Sequence, residues 1–223
     1  MNYDDLIEEF LDHPDAQSLV NKVQSALNKE KKERKEFRAW LKDDIKAEFI
    51  NGEIIMHSPV KRGHLEVTEN LFPLLRTYVV LHQLGTVSVE KALIGLTRND
   101  YEPDICYWTS EQNQEFNKKT MVHPAPLLAV EILSKGTRKK DRGIKFKDYA
   151  LNGVSEYWII DYEKETVEQY YLKAAATDYN LIGKFTKDKN IKSKVIKGFN
   201  IPVLAIFNEQ KYLEVLTGIL LKK

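Results

Sequence analysis

The sequence predicts an α/β fold that is preceded by a helical extension. From residue 48 onward, short apolar runs bounded by turn residues alternate with two stretches of helical spacing. Before them, the segment 1–44 is highly charged and has its apolar residues at helical intervals. At 223 residues and 43% hydrophobic, the chain is long enough to bury one sizeable core. We therefore expect a charged helical extension at 1–44, a main domain at 45–210 and a C-terminal tail at 211–223.

The composition limits both the partners and the compartment of the protein. A formal net charge of +1 argues against a non-specific nucleic-acid coat, so any basic surface must be local. The single cysteine, Cys106, cannot form an internal disulfide, and we expect a buried, inert thiol in a reducing compartment. The start, Met1 to Phe10, is acidic, and no run of about eighteen apolar residues occurs. We expect a soluble, cytoplasmic protein without a membrane partner.

The extension is predicted to hold two helices, with Pro14 in the opening turn of the second. The second helix runs through the charged block Lys29 to Glu36. Glu30 and Arg34 stand four residues apart in the favourable order, which favours a solvated, self-stabilised helix face. A partner-binding helix is the alternative. The apolar positions on which the helical spacing rests are Leu6, Ile7, Phe10, Leu11, Leu19, Val20, Val23 and Leu27.

The main domain opens with a predicted hairpin and a helix. Asn51-Gly52 lies between the short apolar strands of Glu48 to Met56, a strong signal for a two-residue turn. Ser58-Pro59 closes the second strand. Helical spacing then extends from His64 to His82, where Pro73 is expected to bend or weaken the middle.

The remaining elements follow from apolar runs and turn residues. One further helix is predicted from about Arg138 to Asn152, stopped by Gly153. The tail from Tyr179 to Phe207 predicts two or three strands. The other predicted strands are Thr86–Glu90, Leu93–Leu96, Ile105–Trp108, Leu127–Leu133, Glu156–Asp161 and Thr166–Leu172.

Acidic side chains occur at two of these predicted strands. Glu102-Pro103-Asp104 directly precedes one strand, and Glu131 interrupts the apolar run LLAVEILS. An ionised carboxylate in a core strand costs several kcal/mol unless it is paired or coordinates a metal. A salt bridge to a nearby basic residue and a metal site are both open explanations for Glu131.

The segment after Glu131 carries the local basic charge. Lys135 to Lys147 holds seven basic residues against one acid, Asp141. Asp141, Lys145 and Tyr149 recur every four residues, so one helix face presents an acid, a base and a phenol. Two carboxylates, a lysine and a cationic helix suit phosphodiester hydrolysis with Mg²⁺, which takes oxygen ligands and activates water. A solvated basic helix face is the alternative.

Four sequence blocks resemble the Uma family of putative restriction endonucleases, which belongs to the PD-(D/E)XK nuclease superfamily. They are EFINGEI, the SP turn followed by His64, the EPD before a strand, and AVEILSKGTRKKDRGIKFKDYALNGVSEYWIID. The resemblance covers about Glu48 to Leu172. It implies a restriction-endonuclease-like mixed β-sheet core flanked by helices, so the domain at 45–210 is expected to be PD-(D/E)XK nuclease-like.

The resemblance also implies a set of site residues. It makes Asp104 and Glu131 metal ligands, with the main-chain carbonyl of Ile132 as a third. Glu48 matches a recurring family position and is expected to be an outer metal ligand or to hold water. His64 matches another, where it would contact phosphate or carry a proton.

The superfamily's lysine normally stands two residues after the glutamate, but here that position is Leu133. The family resemblance places the lysine on the following helix, at Lys145 in DRGIK. Lys135 competes because it shares the strand face of Glu131, although the family usually has proline there. Asp141 is expected to orient Lys145 or to bind metal through water.

These features predict a DNA endonuclease dependent on Mg²⁺ or Mn²⁺, and a homodimer, since cutting two strands calls for two sites. A catalytically silent nucleic-acid-binding or protein-interaction module is the alternative, and a small-molecule metal hydrolase is a more distant one. Residues 1–44 contain none of the candidate site and are expected to be dispensable for chemistry. Candidate nucleic-acid contacts are Lys135, Arg138, Lys139, Lys140 and Arg142.

Overall fold

The computed structural model describes residues 3–42 and 44–221, and these form the predicted α/β fold. A mixed β-sheet core is flanked by helices and preceded by two N-terminal helices. The helices are α1 (Tyr3–Leu11), α2 (Ala16–Trp40), α3 (Arg62–Leu81), α4 (Ser110–Asn113), α5 (Arg138–Asp141), α6 (Ile144–Leu151), α7 (Leu204–Phe207) and α8 (Glu209–Leu221).

The strands form three sheets. The largest has the order β11-β10-β9-β8-β6-β3, a second has the order β2-β1-β5-β4-β7, and β12 pairs with β13. The strands are β1 (Ala47–Ile50), β2 (Glu53–Met56), β3 (Gly85–Val89), β4 (Leu93–Gly95), β5 (Asp100–Tyr101), β6 (Ile105–Thr109), β7 (Val122–His123), β8 (Leu128–Ile132), β9 (Glu156–Asp161), β10 (Thr166–Tyr171), β11 (Asn180–Phe185), β12 (Asn190–Lys192) and β13 (Asn200–Pro202).

Strand β8 lies inside the largest sheet, parallel to β9 and antiparallel to β6. Successive side chains of a strand point to opposite faces. Val130 and Ile132 pack into the core cluster that contains α3, whereas Ala129 and Leu133 join a second cluster with α6 on the other face. Glu131 shares the parity of Ala129 and Leu133, so the alternation directs its carboxylate towards α6.

The predicted hairpin and the first long helix are confirmed. Asn51 and Gly52 have φ values of 50° and 85°, the left-handed pair that a two-residue turn of this type requires. Strands β1 and β2 pair in register on either side of that turn. Helix α3 continues through Pro73 without ending.

The predicted helix from Arg138 to Asn152 is wrong as a single element. The structure has α5 and α6, separated at Arg142 and Gly143. A Cβ atom at Gly143 would lie 2.7 Å from the carbonyl oxygen of Lys139, so the break requires a residue without a side chain.

The predicted self-stabilised face of α2 is also wrong at Glu30 and Arg34. Glu30 accepts hydrogen bonds from Arg98, and Arg34 donates to the buried carboxylate of Asp100. Phe37, in the last turn of the helix, is buried against Phe49. The second half of α2 is therefore part of the packed domain, because its side chains contact residues of β1 and β5 in the smaller mixed sheet.

The C-terminal segment contains more helix than the sequence indicated. Strands β11, β12 and β13 confirm the two or three strands predicted between Tyr179 and Phe207, but the end of that segment is the helix α7, and α8 follows where the sequence predicted no structure. Helix α8 packs on α3 through Tyr212, Val215 and neighbouring apolar residues. Cys106 is buried, as predicted. In the described part of the chain, no helix combines the length and apolarity needed to cross a bilayer.

Candidate active site between the two mixed sheets

A cavity of about 310 Å³ lies where the two mixed sheets meet. Strand β1 of the smaller sheet brings Glu48 to it, and β8 of the larger sheet brings Glu131. Asp104 reaches the same cavity from the residue before β6, His64 from the first turn of α3, and Lys145 from α6. Residues from five parts of the chain thus converge on one space.

Asp104 is held in place by two donors. Its Oδ2 accepts a hydrogen bond of 2.7 Å from the amide nitrogen of Ile132 and lies 3.2 Å from His64 Nε2. Burial raises the pKa of Asp104, but the bonds from His64 and Ile132 outweigh burial and hold the pKa below its ordinary value. His64 is a buried histidine, not the surface residue that a helix start would usually present.

Glu131 and Lys145 form a buried ion pair. Lys145 Nζ donates to Glu131 Oε1 at 3.0 Å, and the hydroxyl of Tyr149 donates to the same oxygen at 2.7 Å. Burial lowers the pKa of Lys145, but the surrounding carboxylates outweigh it and hold that pKa well above its usual range. Burial raises the pKa of Glu131 despite the attraction of Lys145.

Glu48 makes the shortest contact with the same lysine. Its Oε1 lies 2.7 Å from Lys145 Nζ and accepts the amide hydrogen of Glu102, while Oε2 lies 3.4 Å from His57 Nε2. Burial raises the pKa of Glu48, but Lys145 and His57 outweigh it and lower the pKa to about 2. A fully ionised carboxylate therefore faces the cavity from the smaller sheet.

Asp141 is a third carboxylate close to Lys145. Its Oδ1 lies 3.7 Å from Lys145 Nζ, yet both carboxylate oxygens are buried without a hydrogen-bond partner among the described residues. Burial raises the pKa of Asp141. Lys145 therefore sits among three carboxylates, those of Glu48, Glu131 and Asp141, more than one ammonium group can neutralise.

Three side chains of this cavity were not among the predicted site residues. Lys46 lies 3.6 Å from Glu90 and 4.0 Å from Asp104, His57 contacts Glu48, and Glu102 has a buried Oε2 without a hydrogen-bond partner. Burial raises the pKa of Glu102 to about 7. Alternation along the strands was the available signal, because Lys46 shares the parity of Glu48 and Glu102 shares that of Asp104.

Comparison with known proteins places the chain in a family. A family model described as Uma2, putative restriction endonuclease, matches residues 34–204. The chain belongs to the Uma2 family. No curated protein matches it in sequence. Among solved structures, a putative nuclease belonging to DUF820 from Anabaena variabilis ATCC 29413 superimposes with a TM-score of 0.66 and 15% identity, covering 82% of this chain and 97% of that one. The shared fold is restriction-endonuclease-like.

The basic segment of this Uma2 chain divides between the cavity and the surrounding surface. Lys135 and Lys140 line the cavity, and Lys139 is exposed. Arg138 lies near Asp161 and Glu163, and Arg142 binds both carboxylate oxygens of Glu168. Of the five candidate nucleic-acid contacts, only Lys135 and Lys140 thus lie beside the candidate site.

The donor set of the cavity fits a divalent cation of the kind that restriction-endonuclease-like families generally use. In the described residues, no group of three or more histidine, cysteine, aspartate or glutamate side chains is arranged as a metal cage. Mg²⁺ does not need such a cage, since it usually binds through one or two carboxylates and keeps several waters. Asp104, Glu131 and the Ile132 carbonyl offer oxygen donors beside one cavity, and the surplus of buried acid around Lys145 favours a cation there.

Proposed function

We propose that the protein is a metal-dependent endonuclease that hydrolyses phosphodiester bonds in DNA. The observation that carries the proposal is the cavity where Asp104 and Glu131 lie beside a fully buried Lys145. Asp104, Glu131 and the carbonyl of Ile132 would hold Mg²⁺ or Mn²⁺, with Glu48 as an outer ligand. When bound, such a cation supplies a Lewis acid that activates water and neutralises charge on the phosphate.

The side chains of the chain have distinct roles in this proposal. Lys145 stabilises the negative charge that develops on the phosphate, and its raised pKa keeps it protonated for that purpose. Asp141, 3.7 Å from the ammonium group, orients it. His64 orients Asp104 through the 3.2 Å contact of its Nε2, and we assign to its ring a phosphate contact or a proton transfer.

The proposed substrate is DNA, with its backbone beside Lys135 and Lys140. Both lysines line the cavity, so they can neutralise phosphates adjacent to the one under attack. Cutting both strands of a duplex calls for two sites, which supports a homodimer as the working form.

A catalytically silent binding module is the second candidate. One observation favours it: Glu131 already has Lys145 and Tyr149 as partners, so its burial is compensated without a metal. Such a module would bind nucleic acid or protein through the same face and leave phosphodiester bonds intact.

The deciding experiment incubates the purified chain with supercoiled and single-stranded DNA in the presence of Mg²⁺, Mn²⁺ or a chelator. The proposal expects nicked or linear products only with a divalent cation. Binding of Mn²⁺, followed by titration calorimetry, should be lost in Asp104→Asn and Glu131→Gln together with cleavage. Glu115→Gln, an exposed position, is the matched control.

Two outcomes would contradict the proposal. DNA binding without cleavage under every metal condition would establish the silent module. Cleavage that persists in both Asp104→Asn and Glu131→Gln would move the chemistry to another site or to a contaminating nuclease.

A further inference from the structure

A seam of heptad-spaced residues, apolar except at Glu30 and Arg34, runs the whole length of α2, and the protein covers only half of it. The seam consists of residues spaced alternately by four and three positions, the heptad spacing of helix pairing. Its members are Ala16, Val20, Val23, Leu27, Glu30, Arg34, Phe37 and Leu41. All are within or directly after α2.

The second half of the seam is covered by the domain. Arg34 donates to main-chain oxygens of Leu96, Thr97 and Asn99 in the turn between β4 and β5, and Phe37 is buried. The first half extends beyond that turn. Val20 is 45% exposed and Val23 55% exposed, and no residue from 20 to 29 is classed as buried or half-buried. Among the described residues, α1 does not pack along α2 as an extended helix pair.

We propose that the exposed half of this seam pairs with the same seam of a second copy of the chain, in antiparallel orientation. Antiparallel heptads pair first-type with second-type seam positions. Val20 then faces the partner's Val23, and Ala16 faces the partner's Leu27. The small side chain of Ala16 thus lies opposite the larger one of Leu27, and the two valines lie opposite each other. The four layers therefore have similar total side-chain volumes.

The covering turn excludes the parallel alternative. In a parallel pair the partner helix would continue along the same face past Glu30, into the β4–β5 turn that already holds Arg34. In the antiparallel pair the partner's α2 begins at Ala16, opposite Leu27, and stops short of the turn. The length of exposed seam therefore matches the length that the partner helix would occupy.

The charges of the chain also favour a second copy of itself. Between residues 16 and 28 of α2 the only charged side chain is Lys22, so the seam and its flanks carry almost no repulsion. Helix α1 holds four acidic and no basic side chains. In the antiparallel pair the N-terminal end that carries α1 is directed towards the partner's residues 29–35, where five basic side chains outnumber two acids, although Lys29 and Lys32 already pair with Glu33 and Glu36 on their own helix. This surface closes on itself by two-fold symmetry.

Sedimentation or light scattering on the full chain tests the pairing without reference to nuclease activity. If the seams pair, the mass should rise with concentration from 25.9 kDa towards twice that value. Val20→Glu with Val23→Glu should leave a monomer throughout. Ser18→Glu with Ser25→Glu, which adds the same charge on the opposite face, should still form the dimer. A monomer at every concentration, or a dimer that survives Val20→Glu with Val23→Glu, overturns the proposal.

Disulfide capture tests the orientation. In the antiparallel pair, Ala16→Cys protein mixed with Leu27→Cys protein should give an oxidised dimer that contains one of each. Neither protein should cross-link with itself, because equivalent positions lie eleven residues apart along the axis, about 16 Å, far beyond disulfide reach. The native Cys106 is buried and does not interfere. Self-cross-linking of Leu27→Cys would show a parallel pair and overturn the antiparallel register.

Discussion

Buried carboxylates occur in two different settings in this protein. Asp100, fully buried, accepts hydrogen bonds from the guanidinium groups of Arg34 and Arg38 at 2.6–3.0 Å. Asp141, equally buried, lies 3.7 Å from Lys145 Nζ and near the Thr137 side chain, but neither of its oxygens accepts a hydrogen bond of good geometry among the described residues. The first acid is fully complemented by its surroundings, and the second is not.

Glu156 shows that complementation does not require a cation. Its two oxygens accept from Trp158, Gln169 and Ser193 and from the main-chain nitrogens of Lys194 and Val195, at 2.6–3.1 Å. Fully bonded carboxylates of this kind serve the fold, because every lone pair lost to burial is recovered. Acid left without partners around one cavity indicates a site prepared for something that binds there.

The largest effect is expected from Lys145→Ala, which removes the one buried cation of the incompletely complemented cluster. If Lys145 stabilises charge in the transition state, turnover on DNA should fall on the order of 10²-fold or more. Mn²⁺ binding, measured by calorimetry, should survive. Lys147→Ala, an exposed lysine on the same helix, is the control and should retain full activity. Full activity of Lys145→Ala together with loss of activity in Lys135→Ala would reverse the assignment of the two lysines.

Asp100→Asn should act on stability instead of chemistry. Removing the carboxylate leaves Arg34 and Arg38 without their anion and lowers the free energy of unfolding by on the order of 2 kcal/mol. Urea unfolding measures that change, and turnover of the folded protein should be unaffected. A stable variant that has lost activity would show that Asp100 contributes to the chemistry, and it would contradict the division into structural and site carboxylates. The same contacts imply that a chain starting at residue 45 is less stable, because it lacks Arg34 and Arg38; whether residues 1–44 are dispensable for chemistry is measured separately, on the activity of the folded shorter chain.

The pH dependence of stability tests Glu168, another carboxylate whose oxygens are both hydrogen-bonded. Burial raises its pKa, but Arg142 and Tyr170 outweigh burial and lower the pKa to about 2, below the ordinary 4.5. A carboxyl group whose folded pKa is depressed contributes stability above its unfolded pKa and loses it as the pH falls. The stability difference between wild type and Glu168→Gln should therefore shrink from pH 4.5 downward. Glu163→Gln, exposed on the adjoining turn, should show a smaller difference. A difference that grows as the pH falls would contradict the assignment.

The smallest effect is expected from Lys135→Ala. An exposed lysine beside the cavity contributes one phosphate contact, so DNA affinity should fall roughly three-fold and the salt dependence of binding should weaken by about one counterion. Turnover at saturating DNA should stay unchanged. Fluorescence anisotropy over a range of salt concentrations measures both quantities. An unchanged salt slope would remove Lys135 from the proposed DNA path.

The sequence by itself determined the local elements and the chemical types of the site. Asn51-Gly52 specified its turn because few residue pairs adopt two left-handed conformations, and strands β8 and β9 followed from continuous apolar runs. Tyr149, Tyr157 and Trp158 are buried, as large aromatic side chains within apolar runs usually are.

Only the tertiary structure decided which charges meet. Helical spacing paired Glu30 with Arg34, but both side chains reach across to the β4–β5 region, where partners far apart in sequence give stronger, less solvated contacts. Lys46, His57 and Glu102 line the cavity but were not predicted as site residues. The alternation of a short strand shows which residues share a face, but it does not show which face is buried. The spacing of residues along a chain reflects only local geometry. The convergence of five segments on Lys145 and Asp104 depends instead on how the two sheets pack.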